Sequence, residues 1–417
     1  MKIRFNKLAE NITSLISLKG AEYILSFILF PYLVRVLGVE RFGAIVFMQS
    51  IVQYGIILVD YGFNLTGPRD IARASKKEQI SQIFSNIMAG KFLIFLAVTL
   101  GSVLMIKLFR TIGYDFDSGL YWAVYLLVVG NLAFPVWFFQ GIQQMRYITI
   151  FNVIARSITV VLVFAFVKVP DDYLLAALFQ SMTLLLAGCF SLFVIKKQFS
   201  YVLVRPNWMG IKQTLIDGWH IFVSTIAINI YTTTNTVVLG ALTNNTVVGY
   251  FGTANKLIDC VKGVMFTLNQ AVYPYVSNKL KEGMVQTISF IRKYFLVYSG
   301  GTLLGGSILL IIAPLVVRIL FGPGYEESIF ILRLMAFLPF IISISNVFGI
   351  QIMLNFGYQK IFSRILVGAA VFDLFLIVLL VQYFQDVGAA ITMIMVELMV
   401  TLGTSYYVLK VKKIRLL

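Results

Sequence analysis

Residues 92–106 read Phe92-Leu93-Ile94-Phe95-Leu96-Ala97-Val98-Thr99-Leu100-Gly101-Ser102-Val103-Leu104-Met105-Ile106, with no ionisable group between Lys91 and Lys107. An α-helix rises about 1.5 Å per residue, so about 20 apolar residues cross the hydrocarbon of a bilayer. With its flanks, the stretch at roughly 86–107 predicts one crossing. The same ruler places others at roughly 13–36, 42–62, 119–139, 148–168, 174–195, 217–241, 247–270, 292–316, 328–354, 364–383 and 388–409. Turn chemistry marks the gaps: Gly38 with Gly43, Gly67-Pro68, Pro170-Asp171-Asp172 and Gly322-Pro323-Gly324.

Composition agrees. The chain has 417 residues, 59% hydrophobic and 12% charged, with a mean hydropathy of +0.89. That leaves room for a helical bundle and none for a sizeable soluble domain. Residues 1–10 are polar and basic and the first apolar stretch shows no small-residue cleavage site, so no cleavable signal peptide is expected. Cys189 and Cys260 lie in apolar stretches and read as buried small hydrophobes. The single histidine, His220, cannot build a metal site alone. No metal, cofactor or catalytic residue is expected.

The net charge of +16 is a topology signal. With the N-terminus inside, only Arg35, Arg41, Lys107, Arg110, Lys168 and Arg318 fall on the far side. Lys19, Arg156, Lys256, Lys262 and Arg333 fall within spans, and every other lysine and arginine, Lys91 included, is counted as cytoplasmic. The positive-inside rule then puts both termini in the cytoplasm with an even number of spans. Anionic lipid explains the basic surplus, and nucleic acid is excluded as a partner.

Ionised groups inside hydrocarbon are costly and usually face a cavity or a partner. The acids within spans are Glu22, Asp60, Asp217, Asp259, Asp373 and Glu397. At about 100° per residue, Asn255, Lys256, Asp259, Lys262 and Asn269 lie along one polar arc of the eighth span. Lys19, Glu22, Tyr23 and Ser26 share an arc of the first. Lys19–Glu22 and Lys256–Asp259 have the i,i+3 spacing of ion pairs that neutralise each other. Lys262 has no comparably placed acid and favours an anion. Asn229-Ile230-Tyr231-Thr232-Thr233-Thr234-Asn235-Thr236 is a polar run in mid-span. It either bends to line a cavity, with Asn229 and Asn235 meeting sugar hydroxyls, or its threonines bond back to their own helix. Asp373 either stands unpaired, able to take up a proton, or pairs with a basic residue such as Arg156 on a neighbouring helix.

Faint repeats join the halves. Val36-Leu37-Gly38 matches Val238-Leu239-Gly240, and the stretch from Asn131 to Gly141 parallels that from Asn346 to Gly357. The expected architecture is an all-α integral membrane protein of about twelve helices. It has two six-helix lobes (1–197 and 217–417) around a central cavity, joined by a cytoplasmic linker at 198–216.

Leu33-Val34-Arg35-Val36-Leu37-Gly38-Val39-Glu40-Arg41-Phe42-Gly43 and Asp60-Tyr61-Gly62-Phe63-Asn64-Leu65-Thr66 resemble the first outer loop and second-helix end of bacterial polysaccharide exporters. Pro135-Val136-Trp137-Phe138-Phe139-Gln140-Gly141, Ala271-Val272-Tyr273-Pro274 and Ser345-Asn346-Val347-Phe348-Gly349-Ile350-Gln351 extend the likeness over the chain. It is similar to the O-antigen flippases, in the superfamily of multidrug antiporters and the lipid II flippase. The resemblance implies a V-shaped bundle that moves undecaprenyl-diphosphate-linked oligosaccharide from the cytoplasmic to the periplasmic leaflet of a bacterial inner membrane. Substrate binding would then fall to Lys19, Arg156, Asn229, Asn235, Lys256, Lys262 and Arg333, and ion coupling to Glu22, Asp60, Asp259 and Asp373. Membrane lipid, a polysaccharide polymerase and a chain-length regulator are the implied partners. Lysines at 19 and 256, where lipid II flippases carry arginine, argue against lipid II as cargo. The competing readings are a multidrug antiporter, which needs deep acids for drug cations, and an integral-membrane glycan-synthesis enzyme, for which no carboxylate pair in a large outer loop is present.

Reporter fusions test the topology. Fusions after Lys212 and Leu417 should report cytoplasm and one after Asp171 the outside; an outside signal at Lys212 rejects the two-lobe order.

Overall fold

The computed structural model describes residues 2–74, 76–113, 116–199, 203–281 and 283–411; side chains are described from residue 24 onwards, except at 220, 224, 227, 228, 230, 231, 271 and 411. In hydrocarbon every backbone N–H and C=O must be satisfied within the protein, and a helix does this inside one segment. The chain accordingly runs as α1 (Lys2–Asp60), α2 (Phe63–Arg73), α3 (Lys77–Thr111), α4 (Ser118–Ala133), α5 (Val136–Gly141), α6 (Arg146–Phe166) and α7 (Tyr173–Lys197). Then follow α8 (Trp208–Leu242), α9 (Asn245–Leu280), α10 (Met284–Phe321), α11 (Glu326–Leu334), α12 (Leu338–Asn346) and α13 (Gln359–Tyr406). Among the described residues eight helical segments are long and apolar enough to cross a membrane. Two of these are double. Gly38 (φ 73°, ψ 171°) interrupts α1, and Gln385 (φ 48°, ψ −123°) interrupts α13. With α8 and α9, of 35 and 36 residues, the segments accord with the twelve spans expected.

Two compact units divide the chain at 226/227, inside α8. The linker read at 198–216 is held along the first unit. The Ser85 hydroxyl accepts from the Val204 N–H (2.9 Å), Asn86 Oδ1 accepts from the Asn207 N–H (2.9 Å), and Gln82 Nε2 donates to the Arg205 carbonyl (3.3 Å). Asn207 Oδ1 then accepts from Met209 N–H at the start of α8.

Within the first unit α4 and α7 approach through glycines. A Cβ at Gly130 would meet the Leu185 backbone nitrogen at 2.6 Å, and one at Gly188 would meet Ala133 Cβ at 2.7 Å. Apolar lipid supplies no hydrophobic drive between helices, so such backbone-close packing carries the association. Trp137, Phe138 and Phe139 of α5 are wholly buried beside Phe63, Phe84 and Phe151. In the second unit the segment that parallels it by sequence, 347–354, is a π-helix, again following a helix that ends near an asparagine. The motif resemblance therefore marks two helix interruptions.

Asp60-Tyr61-Gly62 breaks the helix where the resemblance places a helix end, whereas Gly67-Pro68, read as a gap, lies inside α2. Gly62 has φ 81°, and a Cβ there would come within 2.8 Å of Ile221 Cγ2 and 3.2 Å of the Gly218 carbonyl. Gly62→Ala should lower the thermal unfolding midpoint in detergent by the equivalent of about 1–3 kcal/mol, since it adds left-handed strain to overlap. Gly101→Ala, whose Cβ meets nothing within 4 Å, should be neutral or stabilising by up to about 1 kcal/mol.

Candidate functional site

Helices α8, α9 and α13 line a polar cavity of about 280 Å³ in the second unit, formed by Thr232, Thr233, Asn255, Asp259, Lys262, Met393, Val396 and Glu397. Lys262 Nζ donates to Asp259 Oδ1 at 3.1 Å, and Asn255 Nδ2 donates to Asp259 Oδ2 at 3.2 Å. Glu397 lies in the same cavity within the field of Lys262. The lining thus mixes hydroxyls, an amide, one base and two acids.

This arrangement corrects the pairing read from the sequence. Lys262 has an acid after all, whereas Lys256 is exposed and is not among the lining residues. The i,i+3 spacing runs in both directions from Asp259, and an acid N-terminal to its base is the better-oriented pair along the helix dipole. Glu397, which the sequence shows only as a charge within a span, is a lining residue that the spacing of polar groups does not reveal. It comes from a helix 135 positions on from Lys262, and no spacing on α9 signals it.

Asn235 and Asp373 were assigned to different tasks and instead hold each other. Asp373 is fully buried on α13 and accepts from Asn235 Nδ2 at 3.2 Å. Its second oxygen has no hydrogen-bond partner among the described residues. At 1% exposure Asn235 is placed to orient this carboxylate and not to meet a sugar in this conformation. Asn229 is half-buried, and its carbonyl accepts from the Thr232 hydroxyl at 3.3 Å. The run 229–236 remains helical, so Thr232 and Thr233 line the cavity without unwinding the backbone.

In the first unit Asp60 meets Lys91, which the sequence counts as cytoplasmic. Lys91 is 1% exposed and donates to Asp60 Oδ1 (3.1 Å), to the Asn131 carbonyl (3.0 Å) and to Asn131 Oδ1 (3.2 Å). A buried ammonium with three acceptors is a structural knot at the α1–α2 break. The available signal was its position inside the span at 86–107. Arg156 donates to the Ser26 hydroxyl within the same unit. Lys19 and Glu22 lie outside the described side chains. Cys189 is exposed and Cys260 half-buried, both free; a small apolar side chain on an outward helix face needs no burial when the surroundings are lipid.

Arg333 has a structural role that the sequence reading overlooked. Pro314 in α10 has no N–H for the carbonyl four residues before it, that of Leu310. Arg333 Nε supplies the missing donor at 3.2 Å.

An all-helical membrane chain that encloses opposed charges and hydroxyls at span depth is a multi-pass transporter. Residues 8–279 match the polysaccharide biosynthesis protein family, and the chain belongs to it. A protein of Escherichia coli (strain K12) bearing the provisional name O-antigen transporter is 35% identical over 95% of this chain and 96% of its own length. A Shigella dysenteriae protein of the same provisional name is 30% identical over 94% and 98%. Among solved structures, the lipid II flippase MurJ in an inward closed conformation superposes with a TM-score of 0.73 at 13% identity, covering 96% of this chain and 89% of that one. An inward-facing multidrug resistance MATE family transporter of the MOP superfamily gives 0.71 at 16%, covering 94% of each. These two likenesses are of fold.

A double-mutant cycle tests the Arg333 assignment. Arg333→Ala should cost about 1–3 kcal/mol of stability by orphaning the Leu310 carbonyl. In a Pro314→Ala background, where residue 314 regains its N–H, the same change should cost close to nothing; equal losses in both backgrounds reject it.

Proposed function

We propose that the chain is a flippase. It carries an undecaprenyl-diphosphate-linked oligosaccharide, an O-antigen or similar repeat unit, from the cytoplasmic to the periplasmic leaflet of a bacterial inner membrane by alternating access. Both termini lie in the cytoplasm, and a polysaccharide polymerase and chain-length regulator receive the product. The polar cavity around Asp259, Lys262 and Glu397 is the observation that carries the reading. Such groups are tolerated at span depth where something polar is handled. The names of the relatives support the cargo. Multidrug antiport rests on likeness of fold alone.

Lys262 serves the diphosphate in this reading, with Asp259 holding the ammonium in place until cargo arrives. Thr232 and Thr233 offer hydroxyl contacts to sugars. Asp373, with one oxygen unengaged in a buried setting, is the leading carboxylate for ion coupling; Asp60, committed to Lys91, is the weaker one.

Export of lipid-linked repeat unit in cells lacking the native protein tests this. At matched expression Lys262→Ala should reduce export about tenfold or more, and Lys262→Arg should retain most of it. The double variant Asp259→Asn, Lys262→Ala separates roles, since neutralising both partners removes the lone-charge penalty. Export restored by the double variant makes the pair structural and overturns the anion role. Failure of the null strain to accumulate lipid-linked repeat unit in its inner leaflet overturns the flippase reading.

A further inference from the structure

With its groups ionised, the lining of the polar cavity carries two acids against one base, a net negative charge. Lys262 is bonded to Asp259, and that pair cancels. The surplus is Glu397. Among the described residues its carboxylate has no hydrogen bond and no ion pair, and only the more distant field of Lys262 reaches it. The rest of the lining adds acceptors more than donors. Asn255 gives its Nδ2 to Asp259, and its Oδ1 is buried with no partner among the described residues. The Thr232 hydroxyl donates to the Asn229 carbonyl.

Such a surface repels an anion. A diphosphate diester carries two negative charges, and one that drew Lys262 away from Asp259 would face two carboxylates. At span depth little water screens them. An anion brought beside a carboxyl group favours its protonated form, so entry of the diphosphate calls for a proton. Of the two acids, Glu397 is the one placed to take it. Asp259 accepts from Asn255 as well as from Lys262, and hydrogen bonds to the ionised form keep it ionised. Glu397 has no such support among the described residues.

The surrounding elements supply no competing group. α8 brings threonines to the cavity, and Lys256 of α9 is exposed and outside the lining. Asp373, on the first half of α13, is buried against Asn235 and also outside it. α11 packs on α13, but its Glu327 acts at Asp386 and its Arg333 at the Leu310 carbonyl. α12 and the π-helix after it carry no ionisable side chain, and Lys410 lies about 20 Å further along the axis from Glu397.

We propose that Glu397 balances the charge of the cargo, taking up one proton as the diphosphate binds and releasing it as the diphosphate leaves. The proton comes from, and returns to, the water to which the cavity is open. This deepens the flippase reading and rests on it. Proton and cargo bind together, so Glu397 cannot serve an exchange in which one displaces the other; in that reading the task stays with Asp373.

The test is calorimetry on the full chain in detergent micelles. The probe is farnesyl N-acetylglucosaminyl diphosphate, a diester whose own charge does not change near neutral pH. Titrations at about pH 8 in two buffers of different ionisation heat should show close to one proton taken up per probe bound, with affinity falling up to about tenfold per pH unit as pH rises. Glu397→Gln, whose amide stands in for the protonated acid, should bind with almost no uptake, at an affinity that no longer varies with pH. Glu397→Asp should restore both. A second readout needs no neutral variant: probe binding should raise a protonated-carboxyl band in the infrared difference spectrum, shifted in Glu397→Asp. Binding to the wild type without proton uptake overturns the proposal and leaves the flippase reading standing. So does uptake that persists in Glu397→Gln, which gives the proton to another acid, and so does loss of binding in a folded Glu397→Gln. No binding of the probe to the wild type removes the anion site and this proposal together.

Discussion

Hydrocarbon offers no hydrogen bonds, and this fold is arranged around that single fact. Helices satisfy most of the backbone internally, so the informative places are those where a helix cannot. Pro314 leaves the Leu310 carbonyl without its donor, and an arginine from α11 supplies one. At 204–207, where the chain leaves one helix before starting the next, amide and hydroxyl side chains of α3 take up the exposed backbone. In each case a residue that looks functional by type is answering a geometric debt of the main chain.

Side-chain charges obey the same rule with more at stake. Lys91 has three acceptors, Asp259 has a donor on each oxygen, and the single bonded oxygen of Asp373 points to an amide that is itself buried. Neutralised groups of this kind stabilise little beyond what their burial costs. They do allow polar chemistry to exist at depth. The contrast between Lys91, sealed away, and Lys262, half-exposed in a cavity with two acids, separates a charge that holds helices from one that can exchange partners.

The broad plan was legible in the sequence because hydropathy and helix rise are one-dimensional quantities. The spans followed from composition along the chain, and the helix end at Tyr61-Gly62 from the motif resemblance. The interruptions after Asn131 and Asn346 instead fall inside stretches read as continuous spans and marked only as a repeat. The site was less legible because partners across helices leave no periodic trace. A helical wheel put Lys256, Asp259 and Lys262 on one arc but could not say which lysine Asp259 would choose. Glu397 reaches that arc from α13, and Asn235 reaches Asp373 across 138 positions. The bond from Arg333 to the Leu310 carbonyl could not be foreseen because its reason lies in a proline on another helix. Lys91 was placed by its nearness to a span end, where depth within the helix was the quantity that mattered.

The docking of residues 204–207 onto α3 also bears on how the protein is made. Gln82, Ser85 and Asn86 of α3 leave the ribosome more than a hundred residues before the segment they receive, and chains assemble N-terminal parts first. Gln82, Ser85 and Asn86 therefore form a template that is complete when Val204 to Asn207 emerge. Capture there fixes where α8 begins before the second half has been synthesised. The register of everything that follows is set by a finished surface as well as by the charges that orient each span.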